Sequence, residues 1–142
     1  MFQGSTKLTL DAKGRLSMPT RYRDALLEQE NEGRITLAPH PDGSILIYPR
    51  GTWERIHAQL MASGSRLLRL AVMAHAEEVE LDATGRFLVT AELREGAGLN
   101  REVRLLGMGD HFELWDEARM KAHFAKPDNA RALAEQSAAF PF

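Results

Sequence analysis

The stretch "LDAKGRLSMPTRYR", residues 10–23, returns at residues 81–94 as "LDATGRFLVTAELR". At an offset of 71, Leu10 meets Leu81, Asp11 meets Asp82, Ala12 meets Ala83, Gly14 meets Gly85, Arg15 meets Arg86 and Arg23 meets Arg94. The likeness continues more loosely downstream. "RITLAPHPDGSILIYP" (34–49) and "EVRLLGMGDHFELWDE" (102–117) share the order strand, turn, strand, aromatic. A unit this long, present twice, is an internal duplication with a period too long for a solenoid. Local chemistry says what each copy builds. An Asp three residues ahead of a Gly suits a tight turn, because the carboxylate bonds nearby backbone amides and Gly accepts positive φ. "TKLTL" and "EVEL", just before the turns, alternate apolar and polar residues as half-buried strands do, and "RLSM" and "RFLV" resume a strand after them.

Working outward, "TRYRDALLEQ" (20–29) has Tyr22, Leu26 and Leu27 near helical spacing, with Pro19 suited to the first turn. "AELREGAGL" (91–99) is its counterpart, ended by Gly96 and Gly98. "RITLA" and "SILIY" flank the turn-rich "PHPDG". Residues 51–76 read as two helices broken at "SGS", with Thr52 and Ser65 as candidate N-caps. "DEARMKAHF" and "DNARALAEQSA" read as helices separated by Pro127. About eight strands and four to six helices give an α+β domain with an antiparallel core.

Composition narrows the function classes. The 142-residue chain is 44% hydrophobic and 27% charged, ordinary values for a soluble domain. It has no cysteine, which excludes disulfides, thiolate metal sites and cysteine nucleophiles. "MFQGSTKLTLD" shows no basic run followed by an apolar core, so no secretion signal is expected and the cytoplasm is the default location. The most apolar window, "LLRLAVMAHA", is too short to span a bilayer. Net charge is −2, but residues 1–23 hold Lys7, Lys13, Arg15, Arg21 and Arg23 against Asp11 alone, a net +4 that leaves −6 on the remaining residues. A local basic site on an acidic body suits directed anion binding.

The residues with chemistry sort quickly. His40, His57, His75, His111 and His123 show no paired-ligand spacing, and no phosphate-binding or nucleophile-elbow motif is present. Glu78, Glu80 and Asp82 alternate onto one strand face and read as a solvated acidic surface. Met61, Met73, Trp53, Trp115 and Phe112 read as packing residues. Asp11 and Asp82 invite comparison with a proton-sharing carboxylate dyad. An Arg four residues after each would instead hold the carboxylate ionised. For Arg15 and Arg86 two readings stay open: closing their own turns by bonding Asp11 and Asp82, or contacting phosphate or guanine beside Lys13.

The pattern D-x-x-G-R-x-x-x-P-x-x-x-R, met by Asp11, Gly14, Arg15, Pro19 and Arg23, resembles the AbrB-type swapped-hairpin transcription factors. With the second copy, the opening "MFQGSTKLTLDAKGRLSMP", and the stretches "LIYPRGTWE", "ELDATGRFLV" and "FELWDEARM", residues 1–124 resemble the MraZ family of bacterial proteins, in which that module is duplicated. The resemblance implies an α+β fold of two swapped-hairpin modules interlocked in one chain, a small β-barrel-like core with peripheral helices. Residues 1–62 would form the first module, 63–76 a connecting helix, 77–124 the second module and 125–142 a helical tail. It implies ring-shaped homo-oligomers, nucleoid-associated, that bind direct repeats in double-stranded promoter DNA upstream of the division and cell-wall gene cluster, including the protein's own gene, usually to repress it. No enzymatic activity, cofactor, small-molecule substrate or membrane partner is expected.

Carried over by position, Lys13, Arg15 and Arg86 are the expected DNA contacts, and the basic segment adds Lys7 and Arg21. Asp11, Gly14, Pro19, Arg23, Asp82, Gly85 and Arg94 are expected to frame the motif. The second copy departs from the first: Thr84 stands at the place of Lys13, Thr90 at that of Pro19 and Glu92 at that of Arg21. The first copy is therefore expected to dominate phosphate contact. An antitoxin-like AbrB-fold protein and a structural oligomeric scaffold are the rival readings.

Overall fold

A computed structural model describes residues 1–28 and 32–142. The first copy supplies strands β1 (Phe2–Thr9) and β2 (Arg15–Ser17), helix α1 (Thr20–Leu27), and strands β3 (Arg34–Pro39) and β4 (Ile45–Pro49). Helices α2 (Arg50–Ser63) and α3 (Arg66–Ala71) and a 3-10 turn at Met73–His75 lead to the second copy. That copy has strands β5 (Glu77–Glu80) and β6 (Arg86–Leu88), helix α4 (Ala91–Gly96), and strands β7 (Glu102–Gly109) and β8 (Phe112–Asp116). Helices α5 (Glu117–Phe124) and α6 (Pro127–Ala138) follow. The architecture is α+β, and every strand pairing is antiparallel.

The two copies exchange strands. β1 pairs not with β3 of its own copy but with β7 of the other, from Phe2 opposite Gly109 to Thr9 opposite Glu102. Reciprocally, β5 pairs with β3, from Arg34 opposite Glu80 to Leu37 opposite Glu77. The hairpins β3–β4 and β7–β8 meet where Ile45, Leu46 and Ile47 face Leu114, Glu113 and Phe112. The six-stranded order β1-β7-β8-β4-β3-β5 therefore reads the same from either end when the copies are interchanged. β2 and β6 form a separate two-stranded ribbon whose central pair, Leu16 and Phe87, is buried.

Burial explains why neither copy is complete alone. A single apolar cluster holds Leu16, Met18 and Leu26 from one copy and Phe87, Val89 and Leu93 from the other, together with the inward residues of the central strands. Side chains as fully buried as Phe87 and Phe112 each contribute about 1.5–3 kcal/mol relative to exposure. β4 is buried at every position, which explains its uninterrupted apolar run "ILIYP".

The expected strands and helices are present, with local corrections. β1 starts at Phe2, earlier than "TKLTL" suggests, because β7 offers it a full-length partner. The helix expected over 20–29 runs Thr20–Leu27, and Gln29 lies outside the described residues. Pro19 is the residue before that helix, not part of its first turn. Ser65 caps α3 by accepting from the Leu68 amide at 3.2 Å. Thr52 does not cap α2: the helix begins at Arg50 after Pro49, and the Thr52 hydroxyl donates to the Asp110 carbonyl at 3.1 Å. Pro127 opens α6, where its missing amide proton costs nothing. Residues 63–76, the expected connection, hold α3 and the 3-10 turn.

The exchange is pinned where the turns meet. Gly14 has φ +82°, and a Cβ there would sit 1.3 Å from Arg94 Nη1. Gly85 has φ +81°, and a Cβ there would sit 2.4 Å from Arg23 Nε. Each glycine thus makes room for an arginine of the other copy. We expect Gly14→Ala and Gly85→Ala each to lower unfolding stability by about 1–3 kcal/mol or more, from strained backbone and displaced arginine together. Gly51→Ala, in α2 with nothing within 4 Å of the added carbon, is expected to be neutral or to gain up to about 1 kcal/mol. Denaturant midpoints check all three, and unchanged midpoints at Gly14 and Gly85 would contradict the account.

Candidate nucleic-acid interface

The turn after β1 is organised by one carboxylate. Asp11 Oδ1 accepts from the backbone amides of Lys13 at 2.9 Å and Arg15 at 2.8 Å, while Oδ2 accepts from Arg15 Nε at 2.9 Å. The second copy repeats the arrangement. Asp82 Oδ1 accepts from the Thr84 amide at 2.9 Å, the Thr84 hydroxyl at 2.7 Å and the Arg86 amide at 3.0 Å, and Oδ2 accepts from Arg86 Nε at 3.1 Å. The Arg15 amide bond is the main reason Asp11 stays below its ordinary carboxylate range, with the Arg15 side chain and Lys13 amide adding to it. Asp82 is depressed further, by the Arg86 amide first and the Thr84 hydroxyl second. Both carboxylates are held as anions, unlike a proton-sharing dyad.

This clamp bears out the turn-closing reading of the motif arginines. Each aspartate takes the Nε side of its guanidinium, and among the described residues the outer Nη groups form no hydrogen bond. Arg15 faces Leu88 and Ser17 faces Arg86 across the ribbon, so with Leu16 and Phe87 turned inward these four residues share its outer face. Two oriented guanidiniums on one ribbon face can donate to phosphate oxygens or to guanine O6 and N7.

Arg23 and Arg94 are committed to the frame. Arg23 Nε donates to the Met18 carbonyl at 2.7 Å, and Arg94 Nη1 donates to the Val89 carbonyl at 3.1 Å and the Lys13 carbonyl at 3.3 Å. The amides of Met18 and Val89 in turn donate across to Gly85 and Gly14 carbonyls, at 2.8 and 2.9 Å. Pro19 precedes α1, turning the chain so that Tyr22 and Leu26 reach the core.

The basic run of residues 1–23 is dispersed by folding. Lys13 stays exposed on its turn, with no ion-pair partner among the described residues. Lys7 lies on β1 opposite Arg104, its ammonium 3.7 Å from both Glu102 and Glu117. Arg104 is the main cause of the lowered Glu117 carboxyl, with Lys7 adding to it. Arg21 donates to the Thr6 hydroxyl at 2.6 Å and lies 4.7 Å over the Tyr22 ring. The structure therefore gathers Lys13, Arg15 and Arg86 about the ribbon and leaves Lys7 and Arg21 along β1 and α1. The acidic face of β5 is matched by Arg34, 3.7 Å from Glu78 and 3.6 Å from Glu80.

Sequence reasoning missed the other wall beside the first turn. Leu10, Asp11, Ala12 and Gly14 border a groove completed by Arg94, Leu99, Asn100 and Arg101. The downstream alignment of 34–49 with 102–117, at an offset of 68, carries no sign of it, because only the strand exchange, with Leu8 opposite Val103 and Val79 opposite Ile35, brings residues 99–101 beside the first turn. Among the described residues no group of three or more His, Asp or Glu is placed to hold a metal ion, and no helix is long and apolar enough to cross a membrane.

The family described as "MraZ protein, putative antitoxin-like" matches residues 1–67 and 72–140. A protein of Bordetella pertussis named Transcriptional regulator MraZ is 49% identical over 144 residues, covering 100% of both chains. A relative of the same name from Acidovorax is 53% identical over 86% of this chain and 87% of its own. One from Burkholderia ambifaria is 50% identical over 93% of this chain and 92% of its own. A match spanning both copies, at this identity, means that the chain belongs to the MraZ family.

Proposed function

We propose that this chain is a sequence-specific DNA-binding transcriptional regulator, acting chiefly as a repressor on direct repeats in the promoter of the division and cell-wall gene cluster, its own gene included. The observation that carries this reading is the outer face of the β2–β6 ribbon, where Arg15 and Arg86 are each clamped by an aspartate and aimed outward. The names of its relatives, Transcriptional regulator MraZ, agree with it. The exchanged strands fit two AbrB-type swapped-hairpin modules closed into one barrel-like core, with residues 1–62 and 77–124 as modules, 63–76 as connection and 125–142 as tail. A working site in the nucleoid of the cytoplasm follows from the same reading.

One ribbon with two or three cations binds DNA weakly at cellular salt. Identical ribbons held rigidly in a ring engage repeated boxes together, gaining affinity through effective concentration. Association of subunits is supported by exposed apolar side chains on α3, where Leu67 is 76% exposed, and by Leu133, Phe140 and Phe142 at the C-terminus. The family description "putative antitoxin-like" keeps a second reading in view, in which the same exposed C-terminal residues cover a toxin.

Arg15→Ala is expected to weaken binding to a duplex from upstream of the gene by about 1–3 kcal/mol per engaged subunit, with fold and oligomer unchanged. Gel-shift titration beside size-exclusion chromatography checks it, and unchanged affinity would sink the assignment. Arg15→Ala is further expected to do more harm than Arg86→Ala, since Lys13 is replaced by Thr84 in the second turn. Equal losses in the same titration would show the ribbon to be functionally symmetric.

A further inference from the structure

The exchange of strands places residues of one copy beside the turn of the other, and the two junctions are not alike. At the first turn, the Leu10 amide donates to the Arg101 carbonyl at 2.9 Å. At the second, the Leu81 amide donates to the Gly33 carbonyl at 2.8 Å. Arg101 and Gly33 therefore occupy equivalent places, each contributed by the opposite copy. Asn100 likewise corresponds to Glu32, and Glu32 is 3.1 Å from Arg50 and 3.9 Å from Arg34. The first turn thus has a cation beside it where the second has a buried glycine and an acid.

Arg101 is held ready by its backbone. The Leu99 amide donates to the Arg94 carbonyl at 2.9 Å, and the Asn100 amide donates to Asp116 Oδ1 at 2.9 Å. Asp116 is buried and also caps α5 through the Arg119 amide at 3.2 Å. With the Arg101 carbonyl occupied by Leu10, three hydrogen bonds fix residues 99–101. The Arg101 side chain is exposed and has no ion pair among the described residues. It borders the same groove as Asp11, Ala12 and Gly14, next to the turn that presents Lys13 and Arg15. A fixed backbone with an unspent guanidinium beside two outward cations suits a phosphodiester oxygen, because the main chain needs no further ordering and only the side chain loses freedom on contact.

The geometry points to a composite DNA site at the first turn, in which Arg101 of the second copy contacts the phosphate backbone alongside Lys13 and Arg15 of the first. This rests on the proposed DNA binding and adds to it a residue outside both repeated motifs. It makes the site a product of the strand exchange: the first turn draws Arg101 from the other copy, whereas Gly33 stands at the corresponding place beside the second turn.

The test is a gel-shift salt series on the full chain with a duplex from upstream of the gene and a scrambled duplex of equal length. Wild type, Arg15→Ala, Arg101→Ala, Arg101→Gln and Arg101→Lys are compared, with thermal melts to establish folding. Arg131→Ala, on α6 and already 3.4 Å from Asp128, controls for loss of any surface charge. A phosphate contact predicts weaker binding for Arg101→Ala and Arg101→Gln on both duplexes alike, with the slope of log affinity against log salt shallower by about 0.9 per engaged subunit. Arg101→Lys restores most of the slope, and Arg131→Ala leaves it unchanged. If Arg15→Ala loses binding while folded Arg101→Ala or Arg101→Gln keeps wild-type affinity and slope, the composite site is wrong and DNA binding stands. If wild type itself binds neither duplex, both readings fall.

Discussion

β1 and β5 each pair as strands with a strand of the opposite copy, and the rest of the molecule depends on that exchange. β1 needs β7 along eight residue pairs, and β5 needs β3 along four. Backbone amides and carbonyls left unpaired in a buried sheet are expensive, so the exchange decides which chain segments lie side by side before any side chain is considered. It sets β2 against β6, buries Leu16 on Phe87, and places Arg23 over Gly85 and Arg94 over Gly14. A single copy would have half a ribbon, half a core and an arginine with nothing to cover. The duplication therefore acts as a dimer built into one chain.

From that frame the surface chemistry follows with few additional parts. Asp11 and Asp82 each satisfy turn amides and hold a guanidinium by its inner edge. An ionised carboxylate so close to each arginine lowers the net positive charge of the ribbon but orients its donors. Orientation matters more than charge for a chain whose formal net charge is −2. On the proposed function, a chain of this charge is drawn only weakly to a polyanion at long range and relies on a few directed contacts repeated across subunits.

Much of this was legible in the sequence because it is local. The turns, the alternation of "TKLTL" and "EVEL", the Ser65 cap and the two Asp–Arg pairs involve residues within four positions of one another. What escaped is long-range. Thr52 has the right chemistry to cap a helix, yet its hydroxyl is claimed by the Asp110 carbonyl, fifty-eight positions away. Lys7 and Arg21 sit in a basic run, but Glu102 and Glu117 from the second copy and Thr6 from β1 engage them once the strands pair. The place of Arg101 beside the first turn is equally long-range: the downstream stretches align at an offset of 68, but only the strand exchange brings residue 101 against Leu10 of the other copy. Periodicity reports which face of a strand is buried, but not which strand lies beside it.

On the proposed function, these outward arginines, multiplied by subunit assembly, read repeated boxes in promoter DNA. Nuclease footprinting of the region upstream of the protein's own gene, over a series of salt concentrations, tests it most directly. Regularly spaced protected boxes should appear, and disappear together and steeply as salt rises, as expected for many simultaneous phosphate contacts. Absence of protection at low salt, or protection with no spacing and no preference for that region, would contradict it.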